Sequence, residues 1–329
     1  MFNKRLFFVV LVVLSLLIGG TFAQAADQII LKLGHVGSAT DPRQDAGMLF
    51  ASLVEMKTNG QVKVEVYPSG MLGTWEEMIG GLELGSTDIV IESVGCVESY
   101  SNLACIETLP FLFRDTGHFL KIWESPLGKE ILDKISQETG FLFLGHMYRG
   151  ARHLTAVRPV EKLADLEGLK IRVPPLDTYI QIWEKLGASP TPMAWTEVFT
   201  ALQQKVIDAQ ENPLDVIRFN SIYEAAPYLT LTGHILGNYY FIFWDDTFEQ
   251  FPDNVQEAIK EAANEVSSWF TLNTFKAEEQ NLTFIEENGG IIIKLGQEEL
   301  EKWKDKVSKI VESKDEIVQK WAQEIGKVK

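Results

Sequence analysis

The chain alternates short runs of period two with longer runs of helical period. Ile29–Val36 (IILKLGHV) and Val62–Pro68 (VKVEVYP) set apolar residues at every second position, which a pleated strand gathers onto one face. Between them, from about Asp45 to Thr58, Ala46, Leu49, Phe50, Leu53 and Val54 make a helical stripe. Thr74-Trp75-Glu76-Glu77 has the form of a capping box, with Thr74 as N-cap and Glu77 reaching back. The helix it opens carries Met78, Ile79 and Leu82 and stops at Gly85, before a short strand at Asp88–Ser93. A second round follows: strands at Gly140–Tyr148 and Leu169–Pro174 (LKIRVP), a helix Leu176–Gly187, a helix Trp195–Lys205 with Thr196 as cap, and a strand Val206–Pro213. Strand–helix–strand succession predicts parallel sheets covered by helices. Asp253 to Asn288 reads as one helix, which at 1.5 Å per residue spans roughly 50 Å, long enough to bridge two domains. The tail from Glu298 to Lys329 is amphipathic through Trp303, Val307, Ile310, Val311 and Trp321, and is expected to pack on the outside.

The two rounds coincide in one place. The helix at 75–84 leads to Asp88, and four residues on stands Glu92; the helix at 196–205 leads to Asp208, and four residues on stands Asn212. This predicts two similar α/β domains facing each other. Ligands of open α/β sheets sit outside the carboxyl ends of strands, where Glu92, Asn212 and Arg172 all fall. In LKIRVP, Leu169, Ile171 and Val173 face a core, Arg172 faces away, and Pro174 and Pro175 end the strand at once. Spacing alone leaves each of these residues a plainer role: a surface ion pair for Arg172, a core position or helix staple for Trp195, a turn for Asn212 before Pro213.

Composition bears on location and partners. Lys4 and Arg5, the apolar run Leu6–Ile18 and Ala23-Gln24-Ala25 form a secretory signal pattern, so residues 1–25 are expected to be removed near Ala25 and the mature protein to lie outside the cytoplasm. No cysteine follows the run to carry a lipid. The remainder, 46% hydrophobic over the whole chain, is enough for two domains. The net charge is −16, and losing Lys4 and Arg5 takes it to −18, which disfavours nucleic acid as a partner. An anionic ligand remains possible if its site is enclosed, because a unit charge at 4 Å is worth about 4 kcal/mol at an effective dielectric near 20 while distant carboxylates are screened. Cys96 and Cys105 suit either a disulfide or two buried thiols. Walker, HExxH and GxSxG motifs are absent, and the five histidines show no metal-ligand spacing, so neither cofactor nor metal is expected.

The blocks GLKIRVP, GASPTPMAWTEVFTALQQKVIDAQENP, GMLGTWEEMIGGLELGSTDIVIES and LPFLFRD together resemble the substrate-binding proteins of tripartite ATP-independent periplasmic (TRAP) transporters, the DctP family, over nearly all of the mature chain. The resemblance implies an α/β, two-domain periplasmic solute-binding-protein fold with a hinge and a long domain-spanning helix. It implies a first domain of residues 26–149 plus about 238–277 and a second of 150–237 plus about 278–329. It implies that Arg172 holds a ligand carboxylate with Arg152, Asn212, Trp195 and Glu92 around it, and that His35 to Ser38 line the cleft from the other side. Trp75 stands where the family often carries a charged or small polar residue. Tyr148, Arg149, Tyr239 and Tyr240 are candidate ligand-shaping positions. Two arginines, an acid and an aromatic suit a hydroxylated monocarboxylate such as a uronate or other sugar acid, since Glu92 would repel a second carboxylate. A C4-dicarboxylate or keto acid is the alternative. The expected partners are that small organic acid and the membrane permease subunits of a TRAP transporter, with the protein a monomer. An exported sugar-acid enzyme and a sensor subunit are the rival readings.

Overall fold

In the computed structural model, residues 28–329 are described; the predicted signal peptide lies outside them. Ten strands form the framework: β1 (Ile29–Gly34), β2 (Val62–Tyr67), β3 (Ile89–Glu92), β4 (Phe141–Ala156), β5 (Lys170–Val173), β6 (Ser189–Pro192), β7 (Ala209–Pro213), β8 (Tyr228–Leu231), β9 (Leu236–Trp244) and β10 (Ile291–Lys294). Their order is β2-β1-β3-β9-β4-β7-β5-β6, with β8 joining β4 to β10. Within each round the strands are parallel, as predicted: β1 with β2 and β3, β5 with β6 and β7. The sheets are nonetheless mixed, because β9 runs antiparallel to β3 and to β4, and β4 antiparallel to β7.

The duplication extends well beyond one spacing. In the first lobe Asp88 Oδ2 accepts from Lys32 N at 2.7 Å while Asp88 N donates to Lys32 O at 3.1 Å. In the second, Asp208 Oδ2 accepts from Lys170 N at 3.1 Å while Asp208 N donates to Lys170 O at 2.7 Å. The helix before each latch ends in a left-handed residue, Gly85 (φ 71°) in one copy and Lys205 (φ 58°) in the other. Thr74 caps its helix with the full capping box. Thr196 does not cap: Trp195–Glu197 is a 3₁₀ turn without a side-chain cap, leading into a short helix Val198–Gln203.

Strand β4 was expected to end near Tyr148, yet it runs on to Ala156 and passes from one lobe into the other. Its pairing with β9 slips twice, between Leu144 and Met147 and between Tyr148 and Ala151, beside Gly145 (φ 66°) and Gly150 (φ 87°). Such bulges bend a strand and let it change sheets. The long helix, Asp253–Glu287, lies across this crossing. Its first half buries Val255, Ile259, Val266 and Phe270 on the first-lobe sheet, alongside Phe50 stacked on Phe241 at 4.2 Å. Ile285 near its end joins the second-lobe core with Leu202, Ile217 and Leu229. The helix therefore bridges the two lobes, as its length allows. The final helix, Glu316–Lys327, packs on the 3₁₀ segment Asn102–Thr108 and is tied to the two helices that follow it: Trp321 Nε1 donates to Glu130 at 3.1 Å, and His118 Nε2 meets Ile325 O at 3.0 Å. Cys96 and Cys105 are separate buried thiols. Burial pushes the Cys105 thiol up to about 12, so it is unreactive at neutral pH.

Candidate functional site

The carboxyl ends of β3, β5 and β7 converge on a small, half-open cavity of ≈ 60 Å³ between the lobes. Arg43, Glu92, Arg149, Arg152, Arg172 and Asn212 line it, with Trp75, Tyr179 and Trp195 as aromatic walls. Its small size and the contacts across its rim show the lobes drawn together. Ser38 Oγ of the first lobe donates to Phe219 O of the second at 3.3 Å, and Thr178 N donates to Glu98 Oε1 at 3.2 Å.

Arg172 reaches this point because its neighbours Ile171 and Val173 are anchored in the core while Pro174 ends the strand. It is 3% exposed. Its Nε donates to Met193 O at 2.9 Å, and its guanidinium lies 5.6 Å from the centre of the Trp195 ring. No carboxylate among the described residues comes within ion-pair distance of it. Burial, with Arg152 close by, lowers its pKa to about 10. A buried cation without a counter-ion is costly, and an anionic ligand removes that cost.

The other arginines each have a carboxylate within ion-pair distance. Arg152 on β4 forks onto Glu211, with Nη2 donating to Oε1 at 2.7 Å and to the backbone O at 2.8 Å. His234 Nε2 meets the same carboxylate at 3.1 Å. Burial alone would push Glu211 up, but Arg152 and His234 hold it near 2. Arg43 forks onto Asp41, the N-cap of helix Pro42–Lys57, at 2.9 and 2.8 Å. Glu92 stands at the end of β3 between Arg43 Nη1 at 3.9 Å and Arg149 Nη1 at 3.6 Å, and accepts from Ser93 N at 3.0 Å. Asn212 sits inside β7, opposite His153, and not in a turn; its amide donates to Gln210 at 2.7 Å.

Of the eleven residues singled out from the chain, Arg172, Arg152, Asn212, Trp195, Glu92 and Arg149 meet at the cavity. Five lie elsewhere, among them Tyr240, which is fully buried in the core. His35 is fully buried beside Gln44, with burial and Arg43 lowering it to about 4. Ser38 is at the rim. Tyr239 is buried beneath Arg43 and Arg149, whose guanidinium carbons lie 5.0 and 4.1 Å from its ring centre. Tyr148 opens on a separate groove of ≈ 730 Å³ along the long helix, its hydroxyl 3.3 Å from Glu278. Arg43, Trp75, Tyr179, Glu211 and His234 were not singled out. Trp75 could have been found, since it precedes Asp88 by the same thirteen residues that separate Trp195 from Asp208. Glu211 and His234 carry no local signal; their place behind Arg152 exists only once β4, β7 and the loop before β9 are together.

Two duplicated α/β lobes, joined by crossing strands and closing on an arginine-lined cavity, define the bilobed solute-binding proteins. Within that class the chain belongs to the bacterial extracellular solute-binding proteins of family 7, DctP, which it matches over residues 33–316. It is 32% identical over 275 residues to a solute-binding protein of Roseobacter denitrificans, covering 81% of this chain and 84% of that one. The crystal structure of the Roseobacter protein, with bound L-galactonate, superposes with a TM-score of 0.85 at 28% identity over 91% of this chain and 99% of that one. The sugar-acid-binding protein DctPAm of Advenella mimigardefordensis, in complex with galactonate, gives 0.85 at 31% identity over 91% and 99%. A TRAP periplasmic solute-binding protein of Sulfurospirillum deleyianum, with bound succinate, gives 0.86 at 27% over 92% and 100%. Members of the family are periplasmic receptors for small organic acids, not enzymes, and this chain is a TRAP-type solute-binding protein.

Proposed function

We propose that the protein captures a hydroxylated monocarboxylate, a sugar acid of the aldonate or uronate kind, in the periplasm and delivers it to the membrane permease of a TRAP transporter. The observation that carries this reading is the charge arrangement around the cavity. Asp41 neutralises Arg43, Glu211 neutralises Arg152, and Glu92 stands opposite Arg149, which among the described residues leaves Arg172 as the cavity cation without a carboxylate. One unbalanced guanidinium calls for one carboxylate. Arg172, backed by Arg152 and Asn212, takes that group; Trp195 covers its carbon skeleton; Glu92 accepts from its hydroxyls. The galactonate bound to the Roseobacter and Advenella proteins has this chemistry. The domains are residues 26–149 with about 238–277, and 150–237 with about 278 onward, the last helix lying back across the first. They close by bending where β4 and β9 cross. Export would follow cleavage near Ala25, and the receptor would act as a monomer.

The succinate of the Sulfurospirillum protein supports a second reading, a C4-dicarboxylate receptor. Here that ligand's second carboxylate would have to lie beside Glu92. A thermal-shift screen across aldonates, uronates, sialic acid, C4-dicarboxylates and keto acids, followed by calorimetry, separates the two. Stabilisation by hydroxylated monoacids is expected. Stabilisation by succinate alone overturns the sugar-acid assignment, and recovery of a chemically altered ligand would overturn the receptor reading itself.

A further inference from the structure

Arg149 is buried, 7% exposed, and faces the ligand cavity, yet its donors are not spent within the protein. Its Nε is buried without a hydrogen-bond partner. Its one ion pair, to Glu92 Oε1, is 3.6 Å long, beyond hydrogen-bond reach. The face of Tyr239, 4.1 Å from the guanidinium carbon, holds the fork in place but offers no acceptor in its plane. Buried guanidinium donors left open in this way are paired when a ligand arrives. A carboxylate would satisfy them, but it would also be pressed against Glu92. A hydroxyl both donates and accepts, so it can take a hydrogen bond from Arg149 and give one to Glu92.

Resting on the proposed sugar-acid reading, we infer that Arg149 and Glu92 form a donor–acceptor pair that reads a hydroxyl at the end of the ligand remote from Arg172. The same pair excludes a second carboxylate there. Arg149 is thus a specificity-determining contact as well as the wall between the cavity and the larger groove, which it also lines.

The test compares monoacids with the diacid of the same carbon skeleton. Galactarate is the diacid of both galactonate and galacturonate; it differs from open-chain galactonate only in oxidation at the far end, and from galacturonate also in lacking the pyranose ring. Calorimetry on the wild-type protein should show the better of the two monoacids binding at least a hundredfold tighter than galactarate. Arg149→Met should weaken that monoacid tenfold or more. Glu92→Gln, which keeps an acceptor and removes the charge, should tighten galactarate at least tenfold. Wild-type protein that binds galactarate as well as the monoacid overturns the inference while leaving the receptor reading intact, and this comparison needs no variant to fold. Arg149→Met within twofold of wild type, or Glu92→Gln with an unchanged monoacid-to-diacid ratio, also overturns it. Wild-type protein that binds no hydroxylated acid removes the sugar-acid reading, and the inference falls with it.

Discussion

Arg172 and Arg152 are equally buried, but they answer substitution differently because only one has an internal counter-ion. Arg172→Met should cost about 2–5 kcal/mol of ligand affinity, as expected for one partner of a desolvated ion pair. It should not destabilise the empty protein and should raise its melting temperature, because a cation held down to about 10 by burial is replaced by an apolar chain of similar length. Calorimetry and a melt of the ligand-free variant check both halves; a fall of several degrees in that melt would mark Arg172 as structural. Glu211→Gln has the opposite signature. It strands Arg152 and should destabilise the empty protein by about 3–5 kcal/mol. His35 supplies a pH test at this scale. Its folded pKa of about 4 lies below the ordinary 6.5, so the unfolded chain binds the extra proton. Its contribution is present above pH 6.5 and fades as pH falls towards 4, by roughly 2 kcal/mol between pH 7 and 4.5. A His35→Gln protein should therefore lose less melting temperature than wild type over that interval; parallel losses would assign the acid sensitivity elsewhere.

At the scale of elements, β4 crosses between the lobes packed tightly under the long helix. A Cβ on Gly145 would collide with Ser267 Oγ and sit 2.9 Å from Ala263 O, and its φ of 66° is left-handed. Gly145→Ala should thus cost ~2 kcal/mol or more by chemical denaturation, from backbone strain and forced separation of strand and helix. An unchanged midpoint would mean the helix rides freely over the strand. This element also marks where the chain stops being legible. Period-two and period-3.6 runs located β1, β2 and the 35-residue helix, since each has one buried face, while the capping box and the spacing from each helix to its aspartate located the short, fully buried β3. Strand β4 was cut short at Tyr148 because its middle, Tyr148-Arg149-Gly150-Ala151-Arg152, carries cavity arginines and bulge glycines instead of alternating core residues. Strand β9 went unread because LGNYYFIFW is buried on both faces and shows no alternation. For the site, strand ends pointed to Glu92, Arg172 and Asn212, whereas Glu211, His234 and Arg43 depend on pairing across distant segments.

At the scale of the whole molecule, a strongly acidic protein must attract an acid. The chain carries −16, while the cations proposed to bind the ligand are few and buried. Outside the cleft the approaching anion meets a repulsive field that salt screens, since the Debye length falls from about 30 Å at 0.01 M to about 8 Å at physiological ionic strength. Inside, the pair with Arg172 is cut off from solvent and screened far less. The association rate should therefore rise several-fold between 10 and 150 mM salt while the dissociation rate stays nearly constant, the reverse of an electrostatically steered encounter. Stopped-flow fluorescence suits the measurement, because Trp75 and Trp195 line the cavity. An association rate that falls with salt would show the arginine field reaching beyond the mouth of the cleft, and with it that capture begins before the lobes enclose the ligand.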